Sequence, residues 1–391
     1  MLRYLYLAGE WFGPLRVFDS LTVRASAAAI TAFLAAVFLG PVFIRRMAAC
    51  QATEDVDKPD AERLQELHRP KKGTPTMGGL FLVAAIFLSA FLWCDPARYL
   101  VWVGQFVLLS FAFLGFLDDY WKLRGWGRQG LLKRHKFTGE TFFAILTAGL
   151  LAWGSSSGWF GMSAPPFGDH EADFIVATSE RNLVQPTRIV VPFTKWNEVG
   201  PDLGNAYWLF AALILIACSN AVNLTDGLDG LASGCTAMVA AAYSVLAYIA
   251  GNAMLCAFFR IPLVPGAGEM FVFGAALFGG LFGFLWYNAN PARIFMGDTG
   301  SLAIGSLLAY LAIVTKQELT LIVAGGIFVF EALSVILQVA GFRLLGRRLF
   351  RIAPFHHHLE YSGWKENHVV VRLWIVGLML AILSMCLLKM H

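Results

Sequence analysis

Charge is scarce in this chain: Asp, Glu, Lys and Arg make up 14% of its 391 residues, where soluble domains carry about 25%. Set against 58% hydrophobic residues, that scarcity argues against a soluble globular fold. The six cysteines (Cys50, Cys94, Cys218, Cys235, Cys256 and Cys386) are scattered, half of them within apolar runs, and form no CxxC pair. Neither a disulfide framework nor a thiolate metal site is expected, and they read as packing residues. The net charge is only +4 and no nucleic-acid motif appears, so nucleic acid is not an expected partner. The G-x-x-x-x-G-K-[ST] phosphate loop is missing as well. The first twenty residues lack a continuous apolar run and a small-residue cleavage site, which predicts an interfacial amphipathic segment rather than a removable signal peptide.

Apolar runs are what the chain has in abundance. Ten recur, at about 25–44, 77–92, 99–117, 137–153, 206–222, 231–250, 270–287, 302–314, 319–342 and 373–388. Each approaches the ~20 residues a helix needs to cross the hydrocarbon of a bilayer. The expectation is an all-α, polytopic integral membrane protein, with about ten transmembrane helices in a single domain over residues 1–391. The fourth and eighth runs are short and flanked by polar motifs, so extended ends or broken helices are expected there.

With ten spans, the odd connections (45–76, 118–136, 223–230, 288–301 and 343–372) share one side. Three are densely basic: Arg45, Arg46, Lys58, Arg63, Arg69, Lys71 and Lys72; then Lys122, Arg124, Arg128, Lys133, Arg134 and Lys136; then Arg343, Arg347, Arg348, Arg351, Lys365 and Arg372. Basic loops stay on the cytoplasmic side, which puts the odd connections there and both termini outside. The longest even connection, 154–205, sets Asp169, Glu171, Asp173, Glu180, Glu198 and Asp202 against Arg181, Arg188 and Lys195, and is expected to face outward. Within it RIVVPF reads as a short strand, half of a small hairpin. Arg3, Arg16 and Arg24 run against the charge rule.

The polar motifs fall on the odd connections. FLGFLDDYWK sets Asp118 and Asp119 side by side where hydrocarbon ends, beside Lys122; ionisable groups at membrane depth are functional candidates, although a solvated helix end with one ion pair is the plain alternative. NAVNLTDGLDGLASG places Asn220, Asn223, Asp226 and Asp229 within ten residues, more polar side chains than a turn needs. WYNANPARIFMGDTGSLAIG carries Asn288, Asn290, Arg293 and Asp298; its Asp-Thr-Gly triplet also occurs in aspartic proteases, which need a strand context absent here, and Asp298 can equally open a helix. APFHHHLE holds His356, His357 and His358, whose consecutive side chains diverge too much for a zinc site but can donate hydrogen bonds to phosphate. HRPKKGTPTMGG supplies Lys71, Lys72, Thr74 and Thr76, a lysine, hydroxyl and glycine set that suits phosphate or a base. Glu331, alone inside the ninth run, needs a buried partner. Five aspartates on one face with no thiols suit Mg²⁺ or Mn²⁺, which bridge carboxylates and phosphates.

The blocks TPTMGG, GFLDDYWK, NAVNLTDGLDGL, FMGDTGSL and APFHHHLE, in that order from Lys71 to Glu360, resemble the phospho-N-acetylmuramoyl-pentapeptide transferases of bacterial peptidoglycan synthesis. The aspartate and asparagine motifs are shared with the wider polyprenyl-phosphate N-acetylhexosamine-1-phosphate transferases, whereas TPTMGG with an uninterrupted histidine triplet favours the muramoyl-pentapeptide branch. The resemblance implies a multi-pass protein of the bacterial inner membrane with a cytoplasmic active site, a periplasmic 154–205 loop, a Mg²⁺ cofactor and a homodimer. The implied reaction moves phospho-MurNAc-pentapeptide from UDP-MurNAc-pentapeptide to undecaprenyl phosphate, a membrane lipid, giving lipid I and UMP. By motif position Asp298 resembles the family's magnesium ligand and Asp118 and Asp119 its catalytic pair, while Lys71, Asn223, Asp229 and Phe295 resemble its uridine-binding residues.

Two anions must meet in such a reaction, so charge neutralisation matters most. Lys133, His356 and His357 are expected to offset substrate charge, and Thr76, Asp226, Asn288 and His358 to contact substrate. Direct attack by the lipid phosphate is expected, since its second pKa near ~6 leaves little for a base to do; an aspartate nucleophile is the competing route. The nearest rival function is transfer of GlcNAc-1-phosphate. An intramembrane aspartyl protease would need two isolated mid-span aspartates, and a transporter would show repeated halves, which this sequence lacks.

Overall fold

The computed structural model describes residues 2, 4, 13–50, 71, 73–125, 130–160, 162–163, 183–184, 186–192, 201–259 and 261–389. Lys58, Arg63, Arg69, Lys72, Arg128 and, in the long even connection, Asp169, Glu171, Asp173, Glu180, Arg181, Lys195 and Glu198 lie outside the described residues, as do residues 1, 3 and 5–12 of the expected N-terminal amphipathic segment, of which 13–19 is a 3₁₀ helix. The helices are α1 (Leu21–Ala49), α2 (Gly79–Trp93), α3 (Tyr99–Leu123), α4 (Lys133–Ser156), α5 (Ala206–Thr225), α6 (Leu231–Ala250), α7 (Ala253–Phe259), α8 (Gly268–Asn288), α9 (Gly297–Val314), α10 (Thr320–Ala324), α11 (Gly326–Leu345), α12 (Phe355–Tyr361) and α13 (Glu366–Cys386). Between α4 and α5, β1 (Met162–Ser163) pairs antiparallel with β2 (Leu183–Val184). Among its described residues, 188–192, RIVVPF carries only a bridge from Arg188 to Asp202.

Every expected apolar run is helical, and the chain is an all-α polytopic membrane protein. Among the described residues nine helices are long and apolar enough to cross a membrane, and α2, at 15 residues, is the tenth apolar helix. The fourth and eighth runs are longer than their apolar stretches, because α4 and α9 draw the preceding polar motifs into their first turns. The ninth run is broken instead: α10 ends at Ala324 and α11 restarts at Gly326, where adjacent glycines weaken the helix.

At the centre stands α9, buried at every residue from Thr299 to Val314 and packed by α2, α3, α5 and α6. On the other side α8 packs between α1 and α6. Two buried ion networks tie the end of the bundle away from the aspartates. Arg24, one of the three arginines that run against the charge rule, is 2% exposed and forms a bidentate pair with Glu269 (2.8 and 2.9 Å), while also donating to the Trp93 carbonyl. Its charge is spent inside the protein, so it does not report on sidedness. Lys316 donates to Glu318 (2.8 Å) and to the Pro186 carbonyl (2.9 Å) and lies 3.7 Å from the centre of the Tyr207 ring, fastening the 186–192 segment to the turn after α9. Burial lowers the Lys316 pKa, and Glu318 opposes that shift.

Removing one member of a buried ion pair strands the other. Glu269→Ala is expected to cost about 3–5 kcal/mol, and Arg24→Met with Glu269→Leu to recover most of that loss; thermal unfolding of the detergent-purified variants measures both.

Candidate active site

Helix α3 brings Asp118 and Asp119 to the start of α9, where Asp298 occupies the first turn. The approach is close because residue 115 is glycine: a Cβ there would collide with the Asp298 carbonyl. Asp119 accepts the backbone N–H groups of Asp298 (3.1 Å) and Thr299 (2.9 Å) and the Thr299 hydroxyl (2.6 Å). Those amides have no partner within α9, and a carboxylate at a helix N-terminus also meets the positive end of its dipole. Asp119 therefore caps a helix from a neighbouring one, and in doing so sets the direction of the Asp298 side chain.

Asp298 faces three donors. Its Oδ2 receives Lys122 (2.9 Å) and Lys136 (2.8 Å), and its Oδ1 receives the Asn223 amide (3.0 Å). Asp118 pairs with Lys122 at 2.7 Å, lies 4.0 Å from Lys136 and accepts the Leu131 N–H at 2.7 Å. One carboxylate oxygen from each of Asp118, Asp119 and Asp298 lies within 4.8 Å of the others. Two ammonium groups against three carboxylates leave negative charge over, and the donor set is all oxygen, so the cluster fits a hard divalent cation better than zinc.

A second group lies on the adjoining loops. Lys71 donates to Asp229 (2.7 Å) and to Glu366 (2.5 Å), and Glu366 also accepts the Asp229 N–H (2.9 Å). Burial disfavours the Lys71 charge, but the two carboxylates outweigh it and raise the Lys71 pKa, keeping the ammonium charged. The other Asp229 oxygen receives the Asn290 amide and the Ala292 N–H. Asn288 faces inward: buried, it accepts from the Gly230 N–H and the Ser233 hydroxyl and donates to the Ile294 carbonyl, bracing one loop against the other. Phe295 is half-buried, with its backbone paired to Pro75 and Gly78 (2.8 Å each). Residue 79 must be small there, because a Cβ would strike the Gly300 backbone. Thr76 is buried in the same segment, Asp226 is half-buried at the end of α5, and Lys133 is exposed in the first turn of α4.

The histidines sit on α12. His356 is fully buried against Glu331 of α11, His357 Nδ1 lies 3.0 Å from Glu360, and His358 stacks on Phe355 and accepts the Arg351 N–H through Nδ1. The stretch 223–230 joins all three groups: Asn223 meets Asp298, Gly227 abuts His356 and Asp229 meets Lys71.

Lys122, expected as an ion-pair partner of Asp118 and Asp119, is joined at the site by three residues outside the expected set, Lys136, Glu140 and Glu366. Lys136 stands one helical turn from Glu140, as Lys122 does from Asp118, a spacing that could have flagged it. Glu140, itself buried, accepts the Asn220 amide beside the cluster, and Glu366 joins from α13 with no local motif to announce it.

The model of Glycosyl transferase family 4 matches residues 101–316, which hold Asp118, Asp119, Asn223, Asp229 and Asp298. Phospho-N-acetylmuramoyl-pentapeptide-transferase signature 1 matches residues 71–83, which hold Lys71, Thr76 and Gly79. The Phospho-N-acetylmuramoyl-pentapeptide-transferase of Maridesulfovibrio salexigens is 40% identical over 393 residues, covering 100% of this chain and 99% of that protein. Similarity that runs the whole length, through the carboxylate cluster and on to the histidine helix, makes the assignment direct: within Glycosyl transferase family 4, the chain belongs to the phospho-N-acetylmuramoyl-pentapeptide transferases.

Proposed function

We propose that this protein transfers phospho-MurNAc-pentapeptide from UDP-MurNAc-pentapeptide to undecaprenyl phosphate, giving lipid I and UMP, in peptidoglycan synthesis. The observation that carries the reading is the convergence of Asp118, Asp119 and Asp298 with Lys122 and Lys136 at one end of a membrane bundle, beside the Lys71–Asp229 pair. The basic odd connections argue that this end is cytoplasmic, in the inner membrane, with both termini periplasmic, and the family membership supports a homodimer.

An oxygen of the lipid phosphate attacks the sugar-linked phosphorus. The bond from that phosphorus to the bridging oxygen breaks, and the electron pair leaves with UMP. Asp298, with Asp118 beside it, would hold Mg²⁺, whose chemistry there is to neutralise charge on the pyrophosphate. Lys122 and Lys136 offset further charge at the same point, and Lys133, His356 and His357 do so around the two substrates. Asp118 orients the lipid phosphate and takes its last proton when one remains. Asp119 keeps Asp298 in place. Lys71, Asn223, Asp229 and Phe295 hold the uridine, and Thr76, Asp226, Asn288 and His358 shape the loops around the nucleotide sugar.

Purified protein is expected to release UMP from UDP-MurNAc-pentapeptide only with undecaprenyl phosphate and Mg²⁺, and to stop on addition of a chelator; turnover of UDP-GlcNAc in its place would assign the rival reaction. Asp298→Asn is expected to lower kcat by about 1000-fold while the protein still elutes as the wild type does in detergent. Without lipid acceptor no UMP is expected, and one equivalent released per enzyme would establish an aspartyl intermediate instead of direct attack.

A further inference from the structure

Glu331 is the one ionisable residue in the apolar body of α11 that no step above uses. Its carboxylate is 1% exposed and accepts the His356 backbone N–H at 3.1 and 3.3 Å. It also faces the ring: His356 Nδ1 lies 3.1 Å from Glu331 Oε2, though out of line for a hydrogen bond. The imidazole is fully buried, and among the described residues neither ring nitrogen has a hydrogen-bond partner. Its Nε2 points at the 223–230 stretch, at the place a Cβ on Gly227 would occupy. That loop carries Asn223 to Asp298 on one side and Asp229 to Lys71 on the other.

A buried charge inside a membrane helix is costly and persists only where it is compensated or used. By accepting the His356 backbone N–H the carboxylate anchors the first turn of α12, and its negative charge lies on the Nδ1 side of the ring, which leaves Nε2 as the atom that meets the loop. We propose that Glu331 is a positioning residue for the transfer reaction: it holds His356 so that Nε2, enclosed against the Gly227 turn without substrate, meets a phosphate oxygen once bound substrate displaces that turn. The inference rests on the reaction proposed above. Glu331 acts on the rate of transfer through His356, and touches neither substrate.

The full-length protein in detergent tests this by steady-state UMP release with UDP-MurNAc-pentapeptide, undecaprenyl phosphate and Mg²⁺. Glu331→Gln, which keeps size and removes charge, is expected to lower kcat by about 10–100-fold, the usual cost of losing a carboxylate that orients a functional histidine, with KM for the nucleotide within about threefold. Glu331→Asp is expected to regain about half of that loss on a logarithmic scale, because the charge is restored. Glu331→Gln combined with His356→Gln is expected to be no slower than His356→Gln alone, since one residue works through the other. Full kcat in Glu331→Gln, or losses that simply multiply in the double variant, would overturn the inference. Should Glu331→Gln fail to fold, Glu331→Asp and His356→Gln measured singly and together decide it: non-multiplying losses support the proposal and multiplying losses overturn it. A wild-type protein that releases no UMP would instead overturn the reaction itself, and this inference with it.

Discussion

A carboxylate on one membrane helix caps the N-terminus of another, and the arrangement of the site depends on that contact. Asp119 satisfies the first amides of α9, so the most enclosed helix of the bundle can begin inside the protein without orphaned donors. Asp298 is the first acidic side chain of that helix, and its position follows from the cap. Glycine at 115 permits the approach, and glycine at 79 lets the signature segment lie against Gly300. Small residues here act as they do at other membrane helix crossings, by letting backbones come close.

Buried charge is distributed with a clear division. At the end of the bundle away from the aspartates the ion pairs are closed: Arg24 with Glu269, and Lys316 with Glu318, each charge matched and enclosed. At the site, three carboxylates share two lysines, and Lys71 is shared by two carboxylates. The closed pairs hold helices and loops together, whereas the unequal ones leave negative charge unmatched at the cluster. The difference in charge balance, more than the number of charges, distinguishes the two ends of the bundle.

The stretch 223–230 is the hinge of the geometry. It is short, glycine-bearing and flanked by two well-packed helices, α5 and α6, so its ends are held while its side chains reach in different directions. Asn223, Gly227 and Asp229 each contact a different group of the site, which makes this loop the common wall of the carboxylate cluster, the Lys71 group and the histidine helix.

Hydropathy alone determined the all-α membrane fold and the approximate positions of the ten apolar helices, because crossing hydrocarbon demands long apolar runs and internally satisfied backbones. The order of polar motifs, all on odd connections, likewise determined that Asp118, Asp119, Asn223, Asp229, Asp298 and the histidines belong to one region. Local sequence could not decide which carboxylate does what. Adjacent Asp118 and Asp119 look equivalent in a row of letters, yet α9 engages one as its cap and leaves the other to the lysines. Nor could it reveal Glu366 beside Lys71, the inward-facing Asn288, or the partner of Glu331, which lies 25 residues away on another element. Arg24 shows the same division from the other direction: as a letter it contradicts the charge rule, and only packing against Glu269 explains why. Spans and sidedness depend on composition summed along the chain, whereas roles depend on which single donor sits within 3 Å of which oxygen, and only the tertiary structure decides that.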